Sequence, residues 1–436
     1  MMRRNFLKNL TGQALAMSAT GNAYAFGEKK DGTNYTASKS NNERIIKIGN
    51  RTLEEIRDIF SVELYEKTIP LWKNNGVDWK YGAYWTRDNV NEKYEVVSTD
   101  KGLYDQARVL WLFSCFYNYF DPDEFNLRAA KAGFDFLSKY FVDDEYNWFH
   151  SVERDGRPII KNFSSSAVIF AILGLGEYFK ASGNEEALHL AVKTAHRFTE
   201  IILTPSYTEG TTGGQAEPGT PFQGTWLHFL SSLTPLLRYT KEPKLEMIAL
   251  MCVRNLLQHH YQPDLGYAYE ILQPDFTPHK KDDYLQTYYA RSVSPFHSIQ
   301  AAWMIMDEAL RVGNTGMFTD GMNFFGRNLL ERFWVDRNGE QGLIGHFWPD
   351  RPDYLETKIN SPYVMKEVFV TCLYALEHTH EKWAAEWFDR AFSYSYGKPL
   401  DWPYRDTLHQ PRGLMLSIRC LDRMIEREGK VSDFFS

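Results

Sequence analysis

Cysteine is scarce in this sequence: its 436 residues include four, Cys115, Cys252, Cys372 and Cys420. Each falls in an apolar segment of helical pattern and none stands at metal-ligand spacing from another, so no zinc site is indicated. The paired histidines His259-His260 and His378-Thr-His380 also lack correctly spaced further ligands. Beyond the N-terminus there is no basic stretch. With 49 Lys and Arg against 56 Asp and Glu, the net charge is −7, which argues against a nucleic-acid partner. The one glycine-rich stretch, Gly210-Thr-Thr-Gly-Gly214, follows no clear strand and lacks the lysine of a phosphate-binding loop. It reads as a mobile loop just before the segment that carries His228. Aromatic residues, by contrast, are abundant at 15%, with many Trp and Tyr in connections between helical segments. Rings beside a concave site stack on sugars and other flat ligands, although packing is their commoner use. Hydrophobic content of 43% and charged content of 24% suit a globular protein with a sizeable core. The length fits two or three ordinary domains or one large closed architecture.

The N-terminus reads as an export signal. Arg3-Arg4-Asn5-Phe6-Leu7-Lys8 resembles the twin-arginine motif, Leu10 to Ala19 is mildly apolar, and Ala23-Tyr24-Ala25 is a small-x-small cleavage site. The apolar run is too short and too polar to serve as a permanent membrane anchor. Residues 1–25 are therefore expected to be a signal peptide and 26–42, rich in Lys, Gly, Asn and Ser, a flexible lead-in. Residues 43–436 would form a single catalytic domain, periplasmic or otherwise exported. Twin-arginine substrates resemble proteins that fold before export, so buried thiols are expected rather than disulfides.

From there the pattern is helix after helix: 52–74, 101–120, 123–141, 164–181, 184–202, 222–240, 243–259, 295–312, 315–333, 361–379, 381–396 and 409–427. Segments such as 184–202 carry one apolar stripe, whereas 164–175 and 364–376 are apolar nearly all round. Alternation of amphipathic and buried helices implies six helical hairpins whose even members form an inner ring: an all-α (α/α)6 barrel in one domain. The connections Tyr81-Gly-Ala-Tyr-Trp85, Trp148-Phe-His150 and Gly266-Tyr-Ala-Tyr269 read as short strands gathered where the inner helices start. Arg108, His228, His297 and His409 lie near the starts of even-numbered helices. His297 follows a strong helix start, Ser294-Pro295. Any one of them alone fits a structural role, Arg108 as a helix-to-loop tie and the histidines as satisfied loop residues. Four on one rim make a site suited to proton transfer.

Lys101-Gly-Leu-Tyr-Asp-Gln-Ala-Arg-Val-Leu-Trp-Leu-Phe-Ser114, Trp226-Leu-His228, Phe296-His-Ser-Ile-Gln-Ala-Ala-Trp303 and Leu408-His-Gln-Pro-Arg412 resemble the N-acylglucosamine 2-epimerase family. That family includes cellobiose 2-epimerases and aldose–ketose isomerases, and the resemblance covers roughly residues 50–425 in order. It implies an (α/α)6 barrel and reversible chemistry at C1/C2 of a reducing mono- or disaccharide, with no metal or other cofactor. In that likeness Arg108 stabilises an enediolate, His297 and His409 form the acid/base pair, and His228 assists ring opening or proton transfer. Gln300, Trp303, Trp226, Tyr84, Trp348 and Trp402 are the expected substrate-binding residues. The sequence departs from the family at Gln300, where a Glu is usual beside the central histidine, so His297 is expected to lack a carboxylate that raises its basicity. A usual Asn appears as Gly224, Trp-Trp-Pro as Asn360-Ser361-Pro362, and the Glu that follows as Met365. The alternatives are a glycoside hydrolase using Asp105, Glu367 and Asp401, and a sugar-binding protein without activity. The oligomeric state is left open.

Overall fold

The helix at the centre of the sequence reading forms as its capping residues dictate. The Ser294 hydroxyl accepts a hydrogen bond from the backbone N–H of His297, Pro295 occupies the first turn, and the helix stops at Gly313 in the left-handed conformation, φ 69°. The computed structural model describes residues 44–161, 165–208, 210–211, 214–215, 217–280, 290–337, 339–350, 362–396 and 406–436. The expected signal peptide and lead-in, Trp402, Asp401 and the Asn360-Ser361 pair lie outside the described residues.

Counting each π-helical turn with the helix it continues, the expected helices are present. They are α1 (Leu53–Val62, Glu63–Thr68 and Ile69–Asn75), α2 (Leu103–Cys115 and Phe116–Phe120), α3 (Glu124–Tyr140), α4 (Ser165–Ser182), α5 (Glu185–Ile202) and α6 (Gln223–Leu236). Then follow α7 (Pro243–Arg254 and Asn255–His260), α8 (Pro295–Val312), α9 (Thr315–Asp320, Gly321–Arg327 and Asn328–Phe333), α10 (Pro362–His378), α11 (Lys382–Tyr396) and α12 (His409–Glu426). Four outer helices begin at side-chain caps: Thr52 and Glu55 form a reciprocal capping box at α1, and Asp123, Asn184 and Asn314 cap α3, α5 and α9. Their burial follows one stripe, as in α5, where Ala187, Leu190, Ala191, Thr194, Ala195 and Phe198 face inward. In α4, by contrast, nearly every residue from Ser165 to Tyr178 is buried.

The even-numbered helices pack successively side by side, α2 on α4, α4 on α6, and so on to α12, with the odd helices outside. The (α/α)6 barrel closes where α12 meets α2. At one end the Thr407 hydroxyl donates to Asp105 at 2.7 Å, and at the other the Arg419 guanidinium lies 3.9 Å over the Tyr119 ring. Between α10 and α12 the backbones approach so closely that a Cβ on Gly413 would lie 2.3 Å from that of Lys366. All four cysteines are buried and unbonded. No helix among the described residues is long and apolar enough to cross a membrane.

Of the segments expected as short strands, 266–269 contains one, Tyr267–Ala268, whereas 81–85 and 148–150 make only isolated bridges, Val77 with Tyr84 and Val142 with Trp148. Lys101–Gly102, leading into α2, pairs with Ser151–Val152, which pairs with Pro158–Ile160. Tyr261–Gln262 pairs with Tyr267–Ala268, and in place of a simple loop Gly210–Thr211 pairs with Gly214–Gln215.

A buried polar knot ties the first helix to the last three. Glu63 accepts from Lys366 Nζ at 2.9 Å, from Gln410 Nε2 at 2.8 Å and from the Tyr396 hydroxyl. Burial alone would raise the Glu63 pKa, but the Lys366 charge and these hydrogen bonds outweigh it and hold it below 4.5. Because the folded value is depressed, this carboxylate stabilises the fold above the ordinary glutamate range, and that contribution is lost on acidification. Replacing Lys366 by Met strands a buried carboxylate and is expected to lower unfolding free energy by about 3–5 kcal/mol in urea titrations. The double variant Lys366→Met/Glu63→Gln should regain most of it; equal losses in both would mean that packing, not charge, dominates.

Candidate functional site

Arg108 lies in the second turn of α2, 4% exposed, with its guanidinium 3.7 Å over the Tyr104 ring and 4.1 Å over the Phe170 ring. One Nη donates to the Tyr104 hydroxyl, while Nε has no partner among the described residues. The carboxylates of Asp105 and Asp406 are near enough to offset part of the burial of this charge.

His228, on α6, stands nearly perpendicular to His297, ring centroids 5.6 Å apart, and its other neighbour is Phe170 at 5.6 Å. Burial pushes its pKa well below the usual histidine value, and the charges of His297, Arg412, Arg108 and His409 push the same way. His228 is therefore neutral at pH 7, with a buried Nε2 lacking a partner among the described residues.

His297 does have a carboxylate, but it is not supplied from position 300. Glu270, from the strand-like connection before α8, accepts from Nδ1 at 2.8 Å. Its backbone N–H donates to the Ser292 carbonyl at 2.7 Å and its carbonyl accepts from Gln223 at 2.8 Å, which fixes the side chain's origin. Burial lowers the His297 pKa, but the Glu270 charge and hydrogen bond overcome it and raise the value above 6.5. Gly224 makes room for this pair, since a Cβ there would lie 3.1 Å from His297 Cε1 and 3.5 Å from Glu270 Oε1.

His409 opens α12, where Asp406 accepts from the backbone N–H groups of Leu408, His409 and Gln410. Its Nδ1 lies 3.1 Å from Glu367 Oε1. The same Glu367 oxygen accepts from Arg412 Nη2 at 2.5 Å, and Oε2 accepts from the Trp303 indole at 2.9 Å. Burial would raise the Glu367 pKa, but Arg412 and His409 hold it down at about 2. His409 itself is pushed below 6.5, burial and the nearby Arg108 and Arg412 outweighing Glu367 and Asp406. The ring of Phe296 lies 5.1 Å from that of His409 and 6.0 Å from that of His297.

The four residues singled out in the sequence thus occupy one rim. Several other expectations are corrected. Gln300 is wholly buried and its Oε1 accepts from Arg412 Nη2 at 2.9 Å, so it serves the His409 side of the site rather than His297. Trp303 is not a sugar platform: its indole is committed to Glu367 beneath the site, 5.0 Å from the Arg412 guanidinium. Tyr84 is core, with its hydroxyl donating to the Ala129 carbonyl at 3.1 Å and its ring stacked on Phe113. Trp226 is 3% exposed, two residues before His228. Trp348 is 2% exposed, 5.9 Å from the ring of His346. The carboxylate sought at Met365 is present two residues later as Glu367, while Met365 is itself fully buried. Glu270, Arg412 and Asp406 had no assigned role in the sequence reading. Among them only Arg412 stood in a quoted motif, and nothing local marks Glu270, 27 residues before its partner.

Residues 86–399 match the family model described as N-acylglucosamine 2-epimerase. The cellobiose 2-epimerase of Bacteroides fragilis is 26% identical over 282 residues, 61% of this chain and 69% of that one. The structure of cellobiose 2-epimerase from Spirochaeta thermophila DSM 6192 superimposes with a TM-score of 0.70 at 20% identity, covering 86% of this chain and 98% of that one. A D-mannose isomerase structure gives 0.68 at 12% identity, covering 85% and 98%. With the fold, the extent of the match and the paired histidines in agreement, the chain belongs to the N-acylglucosamine 2-epimerase family.

Proposed function

We propose that this protein is an exported sugar 2-epimerase or aldose–ketose isomerase that moves protons at C1/C2 of a reducing mono- or disaccharide through an enediolate. One observation carries the reading: two histidines on one rim, each on its own buried carboxylate, have pKa values pushed in opposite directions. At pH 7 His409 is the neutral member and acts as base, taking the proton from C2 of the open-chain aldose. The electron pair moves into the C1–C2 bond and the negative charge onto O1, where the permanent charge of Arg108 stabilises it. His297, whose protonated form Glu270 favours, returns a proton to the other face of C2 for epimerisation. Isomerisation instead delivers a proton to C1 while the O2 proton passes to O1. His228, neutral and with a free Nε2, suits a hydrogen bond to the sugar ring oxygen or a hydroxyl during ring opening.

The hydrolase alternative fits less well. Asp105 is occupied by Thr407, and both oxygens of Glu367 are engaged beneath the site, so among the described residues no carboxylate pair flanks an open cleft there.

A screen of free aldoses in heavy water, read by NMR, should show deuterium entering C2. Release of reducing ends from glycosides without exchange would favour the hydrolase, and binding without either a non-catalytic protein. His297→Ala and His409→Ala should each lower exchange by about 10²–10⁴-fold. Arg108→Gln should lower the turnover rate by about 10²–10³-fold.

The rate should follow a bell in pH, with an acidic limb set by the depressed His409 and a basic limb set by the raised His297. Glu270→Gln removes what raises His297, so burial prevails and the basic limb moves to lower pH. Gln300→Glu puts a negative charge beside Arg412, which should move the acidic limb upward and leave the basic limb in place. A shift of the basic limb in Gln300→Glu would refute this division of labour.

The twin-arginine and Ala-x-Ala patterns of the sequence support export, with a mature chain beginning near Phe26. An Arg3→Lys/Arg4→Lys variant should stay in the cytoplasm on cell fractionation, and unchanged export would rule out the twin-arginine route.

A further inference from the structure

The end of the barrel opposite the histidines, where the inner helices finish, holds a cavity of about 530 Å³. Its floor is formed by Trp111, Trp303 and Arg412, the underside of the layer that supports His409. One face of α12 lines it: Arg412, Leu416, Arg419, Arg423 and Arg427 recur at helical spacing. Part of this charge is matched locally. Glu377 accepts from Arg423 through both oxygens at 2.6 Å and from Arg427 at 3.0 Å, and Arg238 pairs with Asp307 at 2.9 Å.

The remainder is not matched. Arg419 and Lys180 make no ion pair with a carboxylate among the described residues; instead both lie over the Tyr119 ring, at 3.9 and 3.6 Å. Glu177 accepts from Asn118 at 2.7 Å, and its charge partly offsets that of Lys180 without a direct ion pair. At the floor, the Arg412 side chain is 3% exposed. Its Nη2 serves Glu367 and Gln300, while its buried Nε and Nη1 have no partner among the described residues. The lining as a whole carries six cationic side chains, Lys180, Arg238, Arg412, Arg419, Arg423 and Arg427, against three carboxylates, Glu177, Asp307 and Glu377, a field that favours a multiply charged anion.

We propose that this cavity is a second, non-catalytic site that binds a small multiply charged oxyanion. Arg419 and Lys180 hold it, and the charges of Arg412, Arg423 and Arg427 along the same wall favour it. Phosphate and carboxylate groups share this chemistry, so pyrophosphate and citrate serve as the two probes. The site is separate from the sugar site, sharing with it only the Arg412–Glu367 layer, and does not depend on the reaction proposed above.

Isothermal titration calorimetry of the intact protein at physiological salt is the test, where screening suppresses loose surface association. Saturable one-to-one binding of pyrophosphate or of citrate is expected, and the tighter of the two identifies the oxyanion class. An Arg419→Gln/Lys180→Gln variant should bind that probe at least tenfold more weakly. It should fold despite losing the Arg419–Tyr119 contact at the seam, and keep its anion-free deuterium exchange, since neither side chain belongs to the histidine rim. Absence of saturable binding of both probes, or undiminished binding by a folded double variant, would overturn the proposal. If the double variant does not fold, the single Arg419→Lys variant, which keeps the charge and loses the fork, decides by the same tenfold criterion.

Discussion

The carboxylate of Glu367 is the point on which the rest of the site hangs. It is wholly buried on α10, yet its two oxygens reach Trp303 on α8 and both Arg412 and His409 on α12. An anion in such surroundings is tolerable only because both of its oxygens meet donors, two of the three on a neighbouring inner helix. In meeting that requirement the protein fixes the relative height of three inner helices and the ring orientation of His409. The barrel's packing and its chemistry therefore share one constraint: moving any of these helices along its axis would break a charge-assisted bond before it loosened a methyl contact.

A second buried carboxylate, Glu270, serves His297, but the two pairs are not copies. Glu270 comes from backbone with strand-like pairing outside the inner ring and pairs with no arginine among the described residues, so its charge acts chiefly on the His297 imidazole. Glu367 is shared with Arg412, and the same arginine together with Arg108 bears on His409. The difference between a private and a shared counter-ion is enough to push two chemically identical side chains to opposite sides of the ordinary histidine value. Two-sided proton transfer at one carbon requires such an asymmetry, because the donor and the acceptor must be in different protonation states at the same pH.

Most of the architecture was legible in the sequence because it rests on local rules. The start of α8 was announced by Ser294-Pro295, and the buried helices by their lack of a polar face. The candidate rim was legible for the same reason, since Arg108, His297 and His409 sit at countable positions from helix starts. Partners were not legible. The distance in sequence between His297 and Glu270 is set by the path of a connection, which no periodicity encodes. Gln300 sits one turn after His297, but its side chain runs to α12 instead. Tyr84 was misread because it stands among turn residues; Ala83 before it adopts φ 62°, and the chain there turns the ring inward onto Phe113. Trp303 was misread because a tryptophan in a site motif has two uses, and its indole N–H was claimed by a carboxylate below the rim.

The knot around Glu63 has a consequence for how the chain comes to be folded. Its partners lie 303 and 347 residues further on, so the first helix cannot bury its carboxylate until α10 and α12 exist. A barrel whose seam is closed by its two ends has a large share of contacts that wait for loop closure, and such topologies fold slowly. During synthesis at roughly 5–20 residues per second, α1 waits with a charged group in water while the middle hairpins stack. The last event is then the dehydration of an ion pair, not the addition of another apolar surface.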